Sequence, residues 1–175
     1  MTSTELPSPG ADALPQREVL TWETFPVAVR DLAHQVVASG FVPEVVVAVA
    51  RGGLVPGGAM AYALGTKGVG TLNIEFYTDI GKTLDDPRVL PPLMDTSDLP
   101  GARVLVVDDV ADSGRTLALV MELLEKQGAD ARSAVLFTKP RTIVQPDYSW
   151  KDTDLWITFP WSAEPPVTGA RSISA

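Results

Sequence analysis

VLVVDDVADSGRTL, residues Val104 to Leu117, runs from an unbroken apolar stretch into two adjacent acids, Asp108 and Asp109. A third acid follows at Asp112, and Ser113-Gly114-Arg115-Thr116 then opens a helical pattern. An apolar run without polar alternation predicts a strand covered on both faces, as in a parallel sheet. In open α/β sheets the ligand crevice lies at the carboxyl ends of the strands, where Asp108 and Asp109 fall. Small residues at Ser113 and Gly114 let the backbone approach an anion, and the free N–H groups of the following helix point at it. The segment joins a metal handle, a proton-transfer carboxylate and a phosphate cradle. It implies handling of a phosphorylated, metal-bound small molecule.

The flanking sequence supplies the sheet. Thr21 can cap a helix with Glu23 in its first turn, and Phe25, Val29, Leu32, Val36 and Val37 recur at helical spacing up to Gly40. Glu44 to Ala50 reads as a buried parallel strand ended by Gly52-Gly53, and Leu54 to Leu64 as a helix. A second strand is expected near Thr71 to Phe76. About 25 Pro-interrupted residues follow, a length that in a compact domain marks a functional or mobile loop. The third strand, Val104 to Val107, leads to a helix from Gly114 to Gln127 with Gly128 closing it. A fourth strand is expected at Ser133 to Thr138 and a fifth at Asp154 to Thr158. This β-α alternation predicts an α/β fold, a parallel twisted sheet of about five strands flanked by helices.

The chain has 175 residues, 45% of them hydrophobic, which suits one domain with a real core. That domain is expected over residues 18–165, between a disordered tail at 1–17 and a loose tail at 166–175. The net charge of −8 and the lack of a basic stripe argue against nucleic-acid binding. With no cysteine there are no disulfides, thiolate zinc sites or Cys nucleophiles, which fits a cytoplasmic protein. No signal-peptide pattern and no window of 18 apolar residues occurs, so no membrane partner is expected.

Adjacent carboxylates at a strand end suit Mg²⁺, but a solvated strand end would look the same. The cradle four residues on favours the functional reading. It is neither a Walker loop nor a dinucleotide fingerprint, since GxxxxGK[ST] and GxGxxG are both missing. Arg51-Gly52-Gly53 brings a cation and two unhindered amides to the same sheet edge, although an ordinary strand-to-helix turn would also use such residues. Lys139 and Trp156-Ile157 bring a donor-only ammonium and an aromatic face there. Trp150 and Trp161 are assigned to packing, and His34, the only histidine, to structure.

Together these residues resemble the type I phosphoribosyltransferases, most of all the 6-oxopurine enzymes of the xanthine-guanine and hypoxanthine kind. VVDDVADSGRTL is similar to that family's signature for 5-phosphoribosyl-1-pyrophosphate (PRPP). Phe137 to Ser162, FTKPRTIVQPDYSWKDTDLWITFPWS, resembles the xanthine-guanine enzymes in its Lys-Pro pair, its Trp-Ile step and its Pro-Trp. The resemblance implies the type I fold with a small hood built from the terminal segments. It also implies that Asp108 and Asp109 hold Mg²⁺ and PRPP, and that Ala111 to Thr116, including Arg115, wrap the 5′-phosphate with Val110 beside them. Arg51 and Gly52 would grip the pyrophosphate in a loop where relatives often have a cis peptide, here Ala50-Arg51. Asp112 would act as general acid/base at purine N7, Lys139 would donate to the 6-oxo group, Trp156 would stack on the ring, and the main chain at Ile157 would read the edge near C2. Lys82 and Arg88 are candidates for phosphate contacts from the loop.

Two departures stand out. Arg115 occupies a position where relatives often have Gly or Lys, and Ser162 follows Pro160-Trp161 where an acid is common, which leaves a second metal ion open.

The implied activity is purine salvage. PRPP and a purine base (xanthine, hypoxanthine or guanine) would give pyrophosphate and a nucleoside monophosphate, with the long loop closing over the site and the protein assembled as a homodimer or homotetramer. Two readings compete with it: a regulator that senses PRPP without catalysis, and a phosphoribosyltransferase for another nucleobase.

Overall fold

The computed structural model describes residues 16–75, 78–79, 82–83, 88–89 and 97–167. Its elements are β1 (Arg17–Val19), α1 (Phe25–Ala38), β2 (Val45–Ala50), α2 (Leu54–Leu64), β3 (Gly68–Glu75), β4 (Thr78–Asp79), β5 (Lys82–Thr83) and β6 (Arg88–Val89). They continue with β7 (Arg103–Ala111), α3 (Arg115–Lys126), β8 (Asp130–Thr138), β9 (Tyr148–Asp152) and β10 (Trp156–Thr158). The main sheet has the order β6-β3-β2-β7-β8-β9. Its five strands from β3 to β9 are mutually parallel, and β6 adds an antiparallel edge on β3.

Alternation along the buried strands divides the core into two layers, because successive side chains of a strand point to opposite faces. Val46, Leu105, Val107, Ala134 and Leu136 face one way and pack with α1 and α2, while Val47, Val104, Val106 and Val135 face the other and pack with α3. Each such Val or Leu side chain contributes about 1.5–3 kcal/mol by leaving water, which explains why β2 and the Val104–Val107 run of β7 carry no polar residue. Helix α1 buries Phe25, Ala28, Val29, Leu32, Ala33 and Val36. Val37, expected on that face, is instead 64% exposed, since it lies beyond the arc defined by the other residues. Thr21 and Thr24 exchange hydrogen bonds at the helix entry, Thr21 N to Thr24 Oγ1 at 3.0 Å and Thr24 N to Thr21 Oγ1 at 3.2 Å, and the helix starts at Phe25 with Thr24 in the N-cap position, three residues after the expected cap.

Several expectations change. Strand β7 runs on through both acids to Ala111, so Asp108 and Asp109 lie within the last part of the strand rather than beyond it. β3 starts at Gly68 and β8 at Asp130, each three residues early. The fifth parallel strand is Tyr148–Asp152, whose mixed sequence YSWKD hides the signal because an edge strand buries only part of its surface. Trp156–Thr158, expected as the fifth strand of the main sheet, pairs with Arg17–Val19 in a separate two-stranded parallel sheet. This is the hood of terminal segments. It is seated by Trp22, Phe25, Phe159 and Trp161, whose ring centroids lie 5.0–6.2 Å apart. The hood takes in Arg17, one residue before the expected domain start. Residues 1–15 and 168–175 of the tails expected at 1–17 and 166–175, and most of the Pro-rich loop, lie outside the described residues.

The chain runs outward from β2 to β3 on one side, then returns to β7 on the other side of β2 and continues to β8 and β9. The reversal between β2 and β7 is a topological switch point, where the loops leaving the two strands diverge and open a crevice. Arg51 to Gly53 follows one strand and Asp108 to Gly114 closes the other.

Candidate active site

Two adjoining cavities occupy the carboxyl edge of β7 and share Val110 and Asp112. The smaller, about 70 Å³, is walled by Asp108, Ala111, Ser113, Gly114, Thr116 and Leu117. The larger, about 670 Å³, contains Lys139, Arg141, Asp154, Trp156, Ile157 and Ser162, with Arg17 entering from the hood.

The smaller cavity sits on the first turn of α3. Gly114, at φ +76°, precedes the helix, and the helical ladder begins with Ala118 N to Gly114 O at 2.9 Å, so earlier amides at this end face outward with the positive end of the dipole. Glycine is required at 114 twice over. The positive φ disfavours a side chain, and a Cβ would meet Thr142 Oγ1 at 2.4 Å. Both size and polarity match a phosphate group.

Asp108 and Asp109 are half-buried at the end of β7. Burial, reinforced by the charge of Asp109, pushes the Asp108 carboxyl well above the ordinary carboxylate range. Burial also raises Asp109, to about 6, against opposing hydrogen bonds from the backbone and from Asp108. The backbone N–H of Asp109 donates to Asp108 Oδ1 at 2.8 Å. Across the switch point, Gly52 leaves room for the Asp109 carboxylate, and Ala50-Arg51 is a cis peptide, as the family resemblance implied. Two half-buried hard oxygen donors that resist ionisation alone fit a divalent cation of the Mg²⁺ kind. Among the described residues no cluster of three or more acids, His or Cys accompanies them, so bound water or substrate oxygens would complete such a shell.

In the larger cavity Lys139 is only 9% exposed, and its ammonium donates to the carbonyl of Leu155. Trp156 is 71% exposed and Ile157 half-buried in β10, which presents a flat aromatic face and a main-chain edge to the same space. Asp112 is held by Arg141, whose Nη2 donates to both carboxylate oxygens at 2.5 Å and whose Nε donates to Oδ1 at 2.9 Å.

The structure therefore brings Asp112, Lys139, Trp156 and Ile157 into one cavity, and Asp108, Val110, Ala111, Asp112, Ser113, Gly114 and Thr116 around the other. Gly52 abuts Asp109, while Arg51, on the turn after β2, and Arg115, the first residue of α3, line neither cavity and stand exposed beside them. The side chains of Lys82 and Arg88 lie outside the description. Trp150 packs edge-on against Phe137 at 5.5 Å and Trp161 stacks on Phe159, both in structural roles, and His34 is exposed on α1.

Sequence reading missed Arg17, Arg141 and Asp154. Arg141 stands two residues after Lys139 in KPR, where a strand-to-turn exit could have drawn attention to it. Arg17 and Asp154 carried no signal, because the hood pairing that delivers them is a long-range event.

A phosphoribosyl transferase domain model matches residues 15–167, and the chain belongs to that family. Among curated relatives, a xanthine-guanine phosphoribosyltransferase of Chromohalobacter salexigens is 33% identical over 168 residues, covering 92% of this chain and 96% of its own. Among solved structures, a purine phosphoribosyltransferase of Pyrococcus horikoshii is 36% identical with a TM-score of 0.74, covering 89% of this chain and 99% of its own. A Helicobacter pylori xanthine-guanine-hypoxanthine phosphoribosyltransferase is 27% identical, with a TM-score of 0.70 and coverage of 83% and 93%.

Proposed function

We propose that this protein is a purine salvage phosphoribosyltransferase. It moves the 5-phosphoribosyl group of PRPP to a 6-oxopurine base, xanthine, hypoxanthine or guanine, and releases pyrophosphate. The observation that carries the reading is the convergence of Asp112, Lys139, Trp156 and Ile157 in a cavity with ample room for a base, which adjoins a phosphate-sized one at the start of α3.

In the reaction a purine nitrogen bonds to C1′ of PRPP while the C1′–oxygen bond breaks and its electron pair leaves with pyrophosphate. The transition state has oxocarbenium character. Amides at the start of α3 hold the 5′-phosphate, and Arg51 with the Gly52 backbone receives the negative charge that grows on pyrophosphate. Asp112 accepts or shares the proton at purine N7, a contribution of about 10²- to 10⁴-fold for a well-placed group. Asp108 and Asp109 would hold Mg²⁺, which when bound neutralises charge on the leaving group.

Lys139 only donates, so it pairs with a 6-oxo acceptor and leaves the 6-amino group of adenine opposite a cation. A buried mismatch of this kind costs roughly 1–3 kcal/mol. Trp156 supplies a stacking face and the main chain of Ile157 contacts the edge near C2. We further propose a cytoplasmic homodimer or homotetramer, on the habit of the family alone. Among the described residues no helix is long and apolar enough to cross a membrane.

The test is base-dependent pyrophosphate release from PRPP and Mg²⁺. Release with 6-oxopurines supports the reading, and saturable PRPP binding without any nucleotide product would instead indicate a sensor.

A further inference from the structure

We propose that Arg141 is a positioning residue for Asp112, clasping its carboxylate so that it stays aimed at the imidazole edge of the base. The inference rests on the oxopurine reading above. Its starting point is the pairing itself: three donor contacts of 2.5–2.9 Å from one guanidinium to both oxygens of one carboxylate. A planar fork of this kind fixes direction as well as distance, which an ammonium does not. Both residues line the larger cavity, so the clasp forms part of the wall that meets the base.

The turn that carries Arg141 is bound along the loop that carries Asp112. Lys139 N donates to Ala111 O at 3.0 Å, Thr142 N to Lys139 O at 3.1 Å, and Ile143 N to Ser113 O at 3.0 Å. Thr142 also packs against Gly114 so closely that a Cβ there would not fit. The guanidinium is therefore delivered to Asp112 by backbone that is itself fastened to the phosphate loop.

Stability does not account for the arrangement. The side chains of Arg141 and Asp112 are 69% and 46% exposed, and ion pairs so open to solvent contribute little to folding. Orientation has more to gain, since misplacing a reacting group by about 1 Å can cost on the order of 10²-fold in rate. An Asp side chain at the lip of an open cavity has several rotamers available, and the fork selects one.

The test compares full-length wild-type protein with Arg141→Met, Arg141→Lys, Asp112→Asn and the Arg141→Met/Asp112→Asn double variant. Steady-state rates are measured on the best 6-oxopurine, with thermal melts to confirm folding. Arg141→Met should lower kcat by about 10- to 100-fold and leave KM for PRPP within about twofold. Arg141→Lys should recover only part of the loss, and millimolar guanidinium should partly restore Arg141→Met. In the Asp112→Asn background, removing Arg141 should cost less than about twofold further, because coupled residues are not additive. Undiminished kcat in Arg141→Met, losses that multiply in the double variant, or a matching rise in KM for PRPP would each overturn the role of Arg141. A wild-type protein inactive on every oxopurine would overturn the functional reading and this inference with it, whereas an active wild type with insensitive variants overturns this inference alone.

Discussion

Gly52 and Asp109 are fitted to each other across the switch point: a Cβ built on Gly52 would lie 2.3 Å from Asp109 Oδ2 and 2.4 Å from its Cγ. Glycine at 52, just after β2, thus leaves the acid pair the room that any side chain would take. Gly52→Ala should force the carboxylate or the turn to move and lower kcat/KM for PRPP by at least about tenfold. Gly58→Ala is the control, since nothing lies within 4 Å of a Cβ there and the helix interior should gain about 0.5–1 kcal/mol. Equal activity of the two variants would contradict the fit.

The acid pair makes stability depend on pH with a definite sign. Both folded carboxyls titrate above the ordinary value of 3.8, Asp109 at about 6, so between these values the folded state keeps protons that the unfolded chain has lost. Stability from this pair is therefore greatest at low pH and declines as pH rises through about 4 to 7. Asp109→Asn should flatten that decline and raise the melting temperature near neutrality relative to wild type. A variant less stable than wild type at pH 7, without ligand, would contradict it.

Lys139 separates base recognition from PRPP binding. Lys139→Gln should lower kcat/KM for the oxopurine by about 10²-fold, the cost of a lost charged hydrogen bond in a mostly buried setting. Calorimetry should find PRPP affinity within about twofold of wild type, because Lys139 lines only the larger cavity. Equal loss of both would remove it as the base reader.

Trp156 is exposed enough to be replaced without harm to the core. Trp156→Ala should raise KM for the base by roughly tenfold, consistent with the worth of one aromatic-base stack, and leave the melting temperature nearly unchanged. An unchanged KM would mean that the base does not lie on the indole.

The sheet was legible where strands are buried on both faces. VVVAVA and VLVV have no polar residue to obscure them, and α2 falls at Leu54–Leu64 as read, between the glycine turn and Gly65. The small cavity at the start of α3 was legible because nearly all the residues that wall it fall in one stretch, Asp108 to Leu117. Tyr148–Asp152 escaped notice because an edge strand tolerates Ser, Lys and Asp. The hood escaped because pairing Arg17 with Trp156 spans nearly the whole chain and leaves no local pattern. The clasp of Arg141 on Asp112 likewise required the folded loop, because it joins residues 29 positions apart.

The central claim meets its most direct test in a single competition. Wild-type protein, Mg²⁺ and limiting PRPP are mixed with equimolar xanthine, hypoxanthine, guanine, adenine, uracil and orotate, and the nucleotides are identified by mass. The account predicts only 5′-monophosphates of the 6-oxopurines, with pyrophosphate formed one for one. Adenosine, uridine or orotidine monophosphate as the main product, or none at all, would contradict it.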